Sequence, residues 1–464
     1  MHALESIISI LRQFFPPDLS PSYLWAMRTP LFETLEMAAA AMLIAISLGL
    51  VLGLFIGARL PGARALYALL TSFRAIPDLT LAILCVIVIG LGPAAGTLAL
   101  ALFYTAAVGK IFADLFASAD RAPVEALQGT GANRIMVALY GLLPLRRPDL
   151  LTSGAYEFES AIRASVVVGA VGAGGLGTEL VGTLNQTEYH RTTSLILLLV
   201  LLIAAVDGLG WLVRRQPKLL LLFVVFGSAA AFANRPHMLA LRHAITQFAA
   251  MWPPDLARKE FLELPKLIGE TLMMAFGGTL LAVICALPLG IAAARNISPS
   301  FVNFPVRRFL EGLRAVPEVV WGLVLLGVAG LGPSIGLLAL GLHSTGTLGK
   351  LYAESIENVP TAPVMALAAT GASRISVTSF ALLPLAFAPV AVQSLFRLEW
   401  NMRAATVVGM IGAGGIGGAL YYAQQQMFYH QMVAYIIITW ALIMIADRVS
   451  GRLRSRWGIV EIDK

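Results

Sequence analysis

The chain is laid out in uncharged apolar runs, several of them close to the length a helix needs to cross a bilayer, about 20 residues at 1.5 Å each. Met37 to Ala58 is one such run, closed by Arg59, Pro61 and Arg64; Thr271 to Ala294 is another, closed by Arg295. Leu79 to Gly109 and Val319 to Gly349 are too long for one crossing. Each is interrupted by Gly-Leu-Gly-Pro, at 90–93 and 330–333, which predicts a hairpin of two helices. Further runs are Leu150 to Ala170, Thr192 to Val213, Leu219 to Ala233, Pro389 to Met410 and Met432 to Ala446. The expectation is an all-α polytopic membrane protein with about eleven transmembrane helices. Composition agrees: 58% of the 464 residues are hydrophobic and 13% charged, where soluble domains carry about a quarter charged residues. That balance excludes a cytosolic enzyme, a disordered chain and a secreted disulfide scaffold. Cys85 and Cys285 sit inside apolar runs and read as packing, not as a disulfide or metal site.

The net charge of +7 comes from short basic loops and does not call for nucleic acid. One set holds Arg59, Arg64 and Arg74; Lys110, Arg121, Arg134, Arg146 and Arg147; Arg214, Arg215 and Lys218; and Arg295, Arg307, Arg308 and Arg314. The tail adds Arg448, Arg452, Arg454 and Arg456. Alternating spans place all of these, and the C-terminus, on the cytoplasmic side, while the turns at Gly92 and Gly332 carry almost no charge. The N-terminus then falls outside without a cleavable signal, and the amphipathic segment before the first span is expected on the membrane surface.

The sequence is also duplicated. Phe15-Pro16-Pro17-Asp18-Leu19 returns as Trp252-Pro253-Pro254-Asp255-Leu256, and Glu33-Thr34-Leu35 as Glu270-Thr271-Leu272. From Arg74-Ala75-Ile76-Pro77-Asp78 and Arg314-Ala315-Val316-Pro317-Glu318 onward the offset is 240 residues, and Arg121–Gly177 is identical to Thr361–Gly417 at 26 of 57 positions. Residues 1–214 are read as the first repeat, 215–268 as a connecting helix with an outer amphipathic segment, and 269–464 as the second repeat. Five spans plus one connector make the repeats parallel, related by an axis along the membrane normal.

Three paired features carry the chemistry. In the loop from Glu125-Ala126-Leu127 through Gly131 to Pro144, and its copy from Met365-Ala366-Leu367 through Gly371 to Pro384, a short helix stops at a glycine suited to the left-handed position. The prolines are expected to bend the chain back toward the membrane. Glu159 with Arg163, and Glu399 with Arg403, are spaced four apart near mid-span, so each pair shares a helix face. They either line a route for an anion or form self-neutralised pairs that lock helices together. The strings 169–177 and 409–417 follow, rich in glycine. Gly172, Gly174 and Gly177 satisfy G-x-G-x-x-G, but no strand precedes them and no acid follows about 20 residues on, so a tight re-entrant turn replaces the dinucleotide reading. Arg74 and Arg314 stand before helix-starting prolines at the cytoplasmic mouth, as gates or lipid anchors. His190 and His430 are matched beside Tyr189 and Tyr429; they are read as interfacial belt residues or as a pair meeting across the axis. No P-loop occurs, and no cofactor or metal site is expected.

The Gly-stopped loops resemble the EAA loop of type I ABC importer permeases, apart from Met365 where the pattern has an acid. With Glu-x-x-x-Arg-Ala, Val-Val-Gly and Gly-Ala-Gly-Gly-[Leu/Ile]-Gly, the chain resembles the phosphonate permease family of ABC importers, two copies fused in tandem. The resemblance implies a non-enzymatic translocation subunit of a bacterial inner membrane. It implies two ATP-binding subunits docked on the loops, a periplasmic or lipid-anchored substrate-binding protein, and an oxyanion cargo such as a phosphonate or phosphite. A methionine-type permease shares the glycine string but lacks the mid-span pair; an ion-coupled secondary transporter would need no docking loop. The side assignment is tested with single cysteines at Leu91 and Leu331 against Arg147 and Arg374. A membrane-impermeant maleimide applied from outside should label only the first two.

Overall fold

The computed structural model of the chain describes residues 12–234 and 246–455. Every regular element among the described residues is helical. The chain divides into two compact units between Pro254 and Asp255. The first holds α1 (Arg28–Gly57), α2 (Ala63–Arg74), α3 (Asp78–Ile89), α4 (Pro93–Ala117), α5 (Arg121–Gly129), α6 (Leu143–Val168), α7 (Gly175–Asn185) and α8 (Tyr189–Arg215). A shorter α9 (Leu220–Ala233) follows and packs on α1. The second repeats the order: α10 (Arg258–Ala293), α11 (Ser300–Ala315), α12 (Glu318–Ala329), α13 (Pro333–Glu357), α14 (Thr361–Ala369), α15 (Leu383–Val408), α16 (Gly415–Gln425) and α17 (Tyr429–Ser455). The amphipathic segment expected at the N-terminus lies largely outside the described residues, as do part of the outer loop and the end of the tail.

Among the described residues, six helical stretches are long and apolar enough to cross a membrane, and eight if two bent pairs each count as one span. About eleven apolar runs therefore do not become eleven helices of spanning length. The predicted hairpins form, with Pro93 and Pro333 at the first helical turn and positive φ at Gly90, Gly92, Gly330 and Gly332. Their first limbs, however, have 12 residues each, about 18 Å of helix against a hydrocarbon core of about 30 Å. Short α3 instead continues α2 across an 86° bend. The apolar runs gave no sign of α2 and α11, because arginines interrupt both: Arg64 and Arg74 in one, Arg307, Arg308 and Arg314 in the other.

Two contacts organise each unit. Gly49 and Gly53 on α1 face Val108 and Phe112 on α4, where added β-carbons would come within 2.9 and 2.8 Å of those side chains. Small residues one turn apart let the two helices approach closely, the usual way helices associate without a hydrophobic drive in lipid. Gly278 and Gly290 on α10 meet Leu340 and Tyr352 on α13 in the same manner. The outward side keeps an apolar stripe, Phe276, Leu280 and Ile284 on α10, one helical turn apart and exposed.

The second contact explains the repeated Glu-Thr. The glycine strings do turn sharply, with Gly172, Gly174 and Gly175 at positive φ and the helical run ending in α6 meeting α7 at 60°. Such a break leaves the first N–H groups of α7 without partners in a region short of water. The Gly175 N–H donates to Glu33 Oε2 at 2.8 Å and the Leu176 N–H to Thr34 Oγ1 at 2.9 Å. In the second unit Gly415 and Ile416 donate to Glu270 Oε2 and Thr271 Oγ1 at 2.8 and 3.0 Å. A residue of α1 or α10 thus caps a helix more than a hundred positions away.

The duplicated Pro-Pro-Asp segments fasten the starts of α8 and α17: Asp18 N–H donates to the His190 carbonyl and Asp255 N–H to the His430 carbonyl, both at 3.3 Å. His190 Nδ1 lies 2.7 Å from the Pro16 carbonyl oxygen, within its own unit. Hydrogen bonds from Ser20, with Arg191 alongside, hold the half-buried Asp18 carboxyl below the usual carboxylate range.

The remote caps predict that Glu33→Ala with Thr34→Val lowers the melting temperature of the purified chain, by the equivalent of about 1 kcal/mol per lost cap. An unchanged melting curve would show that these bonds do not hold the bend.

Candidate functional site

The loops flagged in sequence fold as expected in one respect and not in another. Gly131 and Gly371 end α5 and α14 at φ +86° and +82°, with their N–H groups donating back to Gln128 and Ala368. Open space surrounds both glycines, so the left-handed backbone alone accounts for them. Glu125, Ala126, Met365 and Ala366 are exposed, Met365 at 62%, while Leu127 and Leu367 are half-buried against the following turn. The prolines do not turn the chain back. Helix runs on from Arg134 through Pro144 and from Arg374 through Pro384, with a π turn just before each proline. A proline lacks the N–H that the preceding turn would use, and wider i→i+5 bonding absorbs that loss without a break.

The two elbows differ in detail. Asp120 caps α5 by accepting from the Ala122 N–H, while α14 starts after Pro360 with no side-chain cap. Arg134 donates to the Arg59 carbonyl at 2.8 Å, and Arg146 donates to the carbonyl of Ser118, tying the first elbow to the ends of α1 and α4. In the second unit Glu357 gathers the Arg307 guanidinium at 2.5 Å and the Arg295 N–H at 2.6 Å.

Within the membrane the predicted pairing holds on one side only. Arg163 pairs with Glu159, four residues apart on α6. Arg403 does not pair with Glu399. It meets Asp447 on α17 at 2.9 Å, while Glu399 pairs with Arg454, which also donates to Ser450 Oγ at 2.8 Å. The correction has a clear cause. Asp447 and Arg454 are spaced two turns apart and present opposite charges to α15, so crossed pairs neutralise four embedded charges where local pairing would strand two. Arg74 and Arg314 end α2 and α11, each half-buried at a bend.

Several polar residues escaped the sequence reading. In the first unit Glu157 attracts both Arg74 and Arg163. The second unit has Arg397 at the corresponding position. Its Nε donates to Ser344 Oγ at 2.7 Å; Ser344 donates to Asn401 Oδ1 at 3.0 Å, and Asn401 to Thr279 Oγ1 at 2.9 Å. Nearby, His343 Nδ1 lies 2.9 Å from the Val316 carbonyl and Nε2 lies 3.5 Å from Glu318 Oε2. A charge inside an apolar span asks for a partner, which is the signal that Glu157 and Arg397 carry in the sequence. Among the described residues no group of histidine, cysteine and carboxylate side chains is placed to hold a metal ion.

The chain can now be set beside known proteins. Residues 45–216 and 286–459 each match the family described as binding-protein-dependent transport system inner membrane component. The phosphate-import permease protein PhnE of Mycolicibacterium smegmatis is 30% identical, over 97% of this chain and 89% of that protein. The phosphite transport system permease protein PtxC of Stutzerimonas stutzeri is 36% identical, over 54% of this chain and 92% of its own length. An inward-facing structure of the MetNI methionine ABC transporter aligns with a TM-score of 0.41 at 17% identity, over 44% of this chain and 99% of that one.

The crossed pairs give a direct test. Asp447→Asn leaves Arg403 embedded without its carboxylate and should cost about 3–5 kcal/mol of stability. Adding Arg403→Gln should recover much of that loss in thermal melts, whereas Glu399→Gln in the same background should not.

Proposed function

Because the chain belongs to the family of binding-protein-dependent transport system inner membrane components and holds two copies of the family domain, we propose that it is the translocation subunit of an ATP-driven importer of phosphonate, phosphite or related oxyanions. Residues 1–214 and 269–464 are its two permease repeats, joined by 215–268. The chain sits in the inner membrane with its basic loops and C-terminus in the cytoplasm. Two separate ATP-binding subunits dock on α5 and α14, and a substrate-binding protein delivers cargo from outside. The observation that carries this reading is the pair of exposed, glycine-ended short helices, one per unit, each leading straight into a long membrane helix. A push on α5 or α14 is transmitted along α6 or α15, because the π turn keeps the connection helical. Closure of the ATPase pair then alternates the access of the pathway.

The oxyanion assignment rests on the relatives, one described as importing phosphate and one as transporting phosphite. Glu159, Arg163, Glu399 and Arg403 border the pathway, where Arg403 braces α15 against α17 and Arg163 is neutralised on its own helix, so both already share their charge with a carboxylate. Anion contact falls mainly to the second unit, where buried Arg397 joins the polar chain of Ser344 and Asn401 and buried His343 meets Glu318. Arg74 and Arg314 flank the cytoplasmic mouth.

Ala126→Glu with Ala366→Glu should leave the permease folded, as judged by size-exclusion and melting, yet release the ATP-binding subunit on co-purification and abolish uptake. The purified chain alone should show no ATP hydrolysis. Retention of the ATPase by the double variant would overturn the docking assignment.

A further inference from the structure

Behind each elbow lies a cavity, and the two differ in chemistry. In both, one face of the short helix supplies a wall: Val124, Glu125 and Gln128 in the first unit, Thr361, Val364, Met365 and Ala368 in the second. The latter positions are spaced i, i+3, i+4 and i+7, a single helical stripe. The first cavity measures about 290 Å³, and its lining includes Arg59, Arg134 and the exposed Glu125. The second measures about 790 Å³ and contains Arg295 and Arg374, but the position of the acid is taken by Met365.

The other groups around the second cavity reinforce that difference. Arg134 spends a hydrogen bond on the Arg59 carbonyl; among the described residues the Arg295 and Arg374 guanidinium groups make no hydrogen bond or ion pair. The one carboxylate in the lining, Glu357, is already held by Arg307 and by the Arg295 N–H. Ser300 and Thr361, each the first residue of a helix without a side-chain cap, also border the space. Two solvent-exposed guanidinium groups and uncapped helix starts around an open cleft favour a dianion with several acceptor oxygens.

We propose that the cavity behind the second elbow, whose lining has Met365 where the first has the acid Glu125, binds a phosphate-class oxyanion. The proposal rests on the importer reading above for its biological sense: such a ligand would meet α14 on the side where cargo is released and would report cargo supply to the coupling helix. The same chemistry is offered by free phosphate or phosphonate and by an anionic lipid headgroup.

The test is titration of the full-length chain with inorganic phosphate in phosphatidylcholine nanodiscs, followed by calorimetry. Saturable binding is expected, weakened about tenfold or more by Arg295→Ala with Arg374→Ala. Met365→Glu, which restores the acid, should weaken it likewise without removing either arginine. Repeating the titration with phosphatidylglycerol in the discs separates the sources: unchanged binding marks a free oxyanion, and suppressed binding marks a lipid headgroup. No saturable binding in neutral discs, or equal binding by wild type and both variants, overturns the site. The measurement needs neither ATPase nor uptake, so its failure leaves the importer reading standing, and failure of ATPase release by the Ala126→Glu with Ala366→Glu variant leaves this titration unaffected.

Discussion

A backbone that bends inside hydrocarbon must find partners for the N–H groups it exposes, and this protein finds them at the far end of each repeat. The carboxylate of Glu33 and the hydroxyl of Thr34 close the start of α7, and Glu270 and Thr271 close the start of α16. These bonds fix the bend after α6 and α15, the helices that carry both the embedded charges and the elbows. They also register α1 and α10, whose glycines pack closely against α4 and α13. Packing of the small residues and capping of the bend thus constrain the same helix from two sides, leaving the long helices to move as units about defined points.

Much of this was legible in sequence, for specific reasons. Uncharged runs and glycine-proline breaks reveal membrane helices and hairpins because lipid allows few alternatives. Duplication doubled every signal, so that Gly131 and Gly371, or the strings near Gly172 and Gly412, stood out against their background. What escaped were features set by tertiary partners. Arg403 has a perfectly spaced Glu399 on its own helix and still chooses Asp447 across the interface. The repeated Glu-Thr was visible as a repeat, yet its role required knowing that a backbone break lay beside it. Amphipathic α2 and α11 carry arginines that stop a hydropathy scan, and the short α3 makes sense only as a continuation of α2.

The two units share architecture and diverge in charge. Glu157 answers to Arg397, Phe103 to His343, Glu125 to Met365, and Ala117 to Glu357. In each case the helix geometry is kept while the polar partners are rebuilt: Tyr104 donates to Ser160 in the first unit at 3.2 Å, where the second runs a chain from Arg397 through Ser344 to Thr279. The membrane enforces neutralisation at each site but leaves open which residues supply it.

Joining the repeats in one polypeptide has an evolutionary consequence. A permease built from two identical chains makes every substitution twice, so a new guanidinium arrives together with its twin and both must be accommodated. Here Arg397 was admitted once, with Glu157 at the matching position of the first repeat. The covalent link keeps one copy of each repeat in the same chain, and so lets each repeat change its polar residues separately.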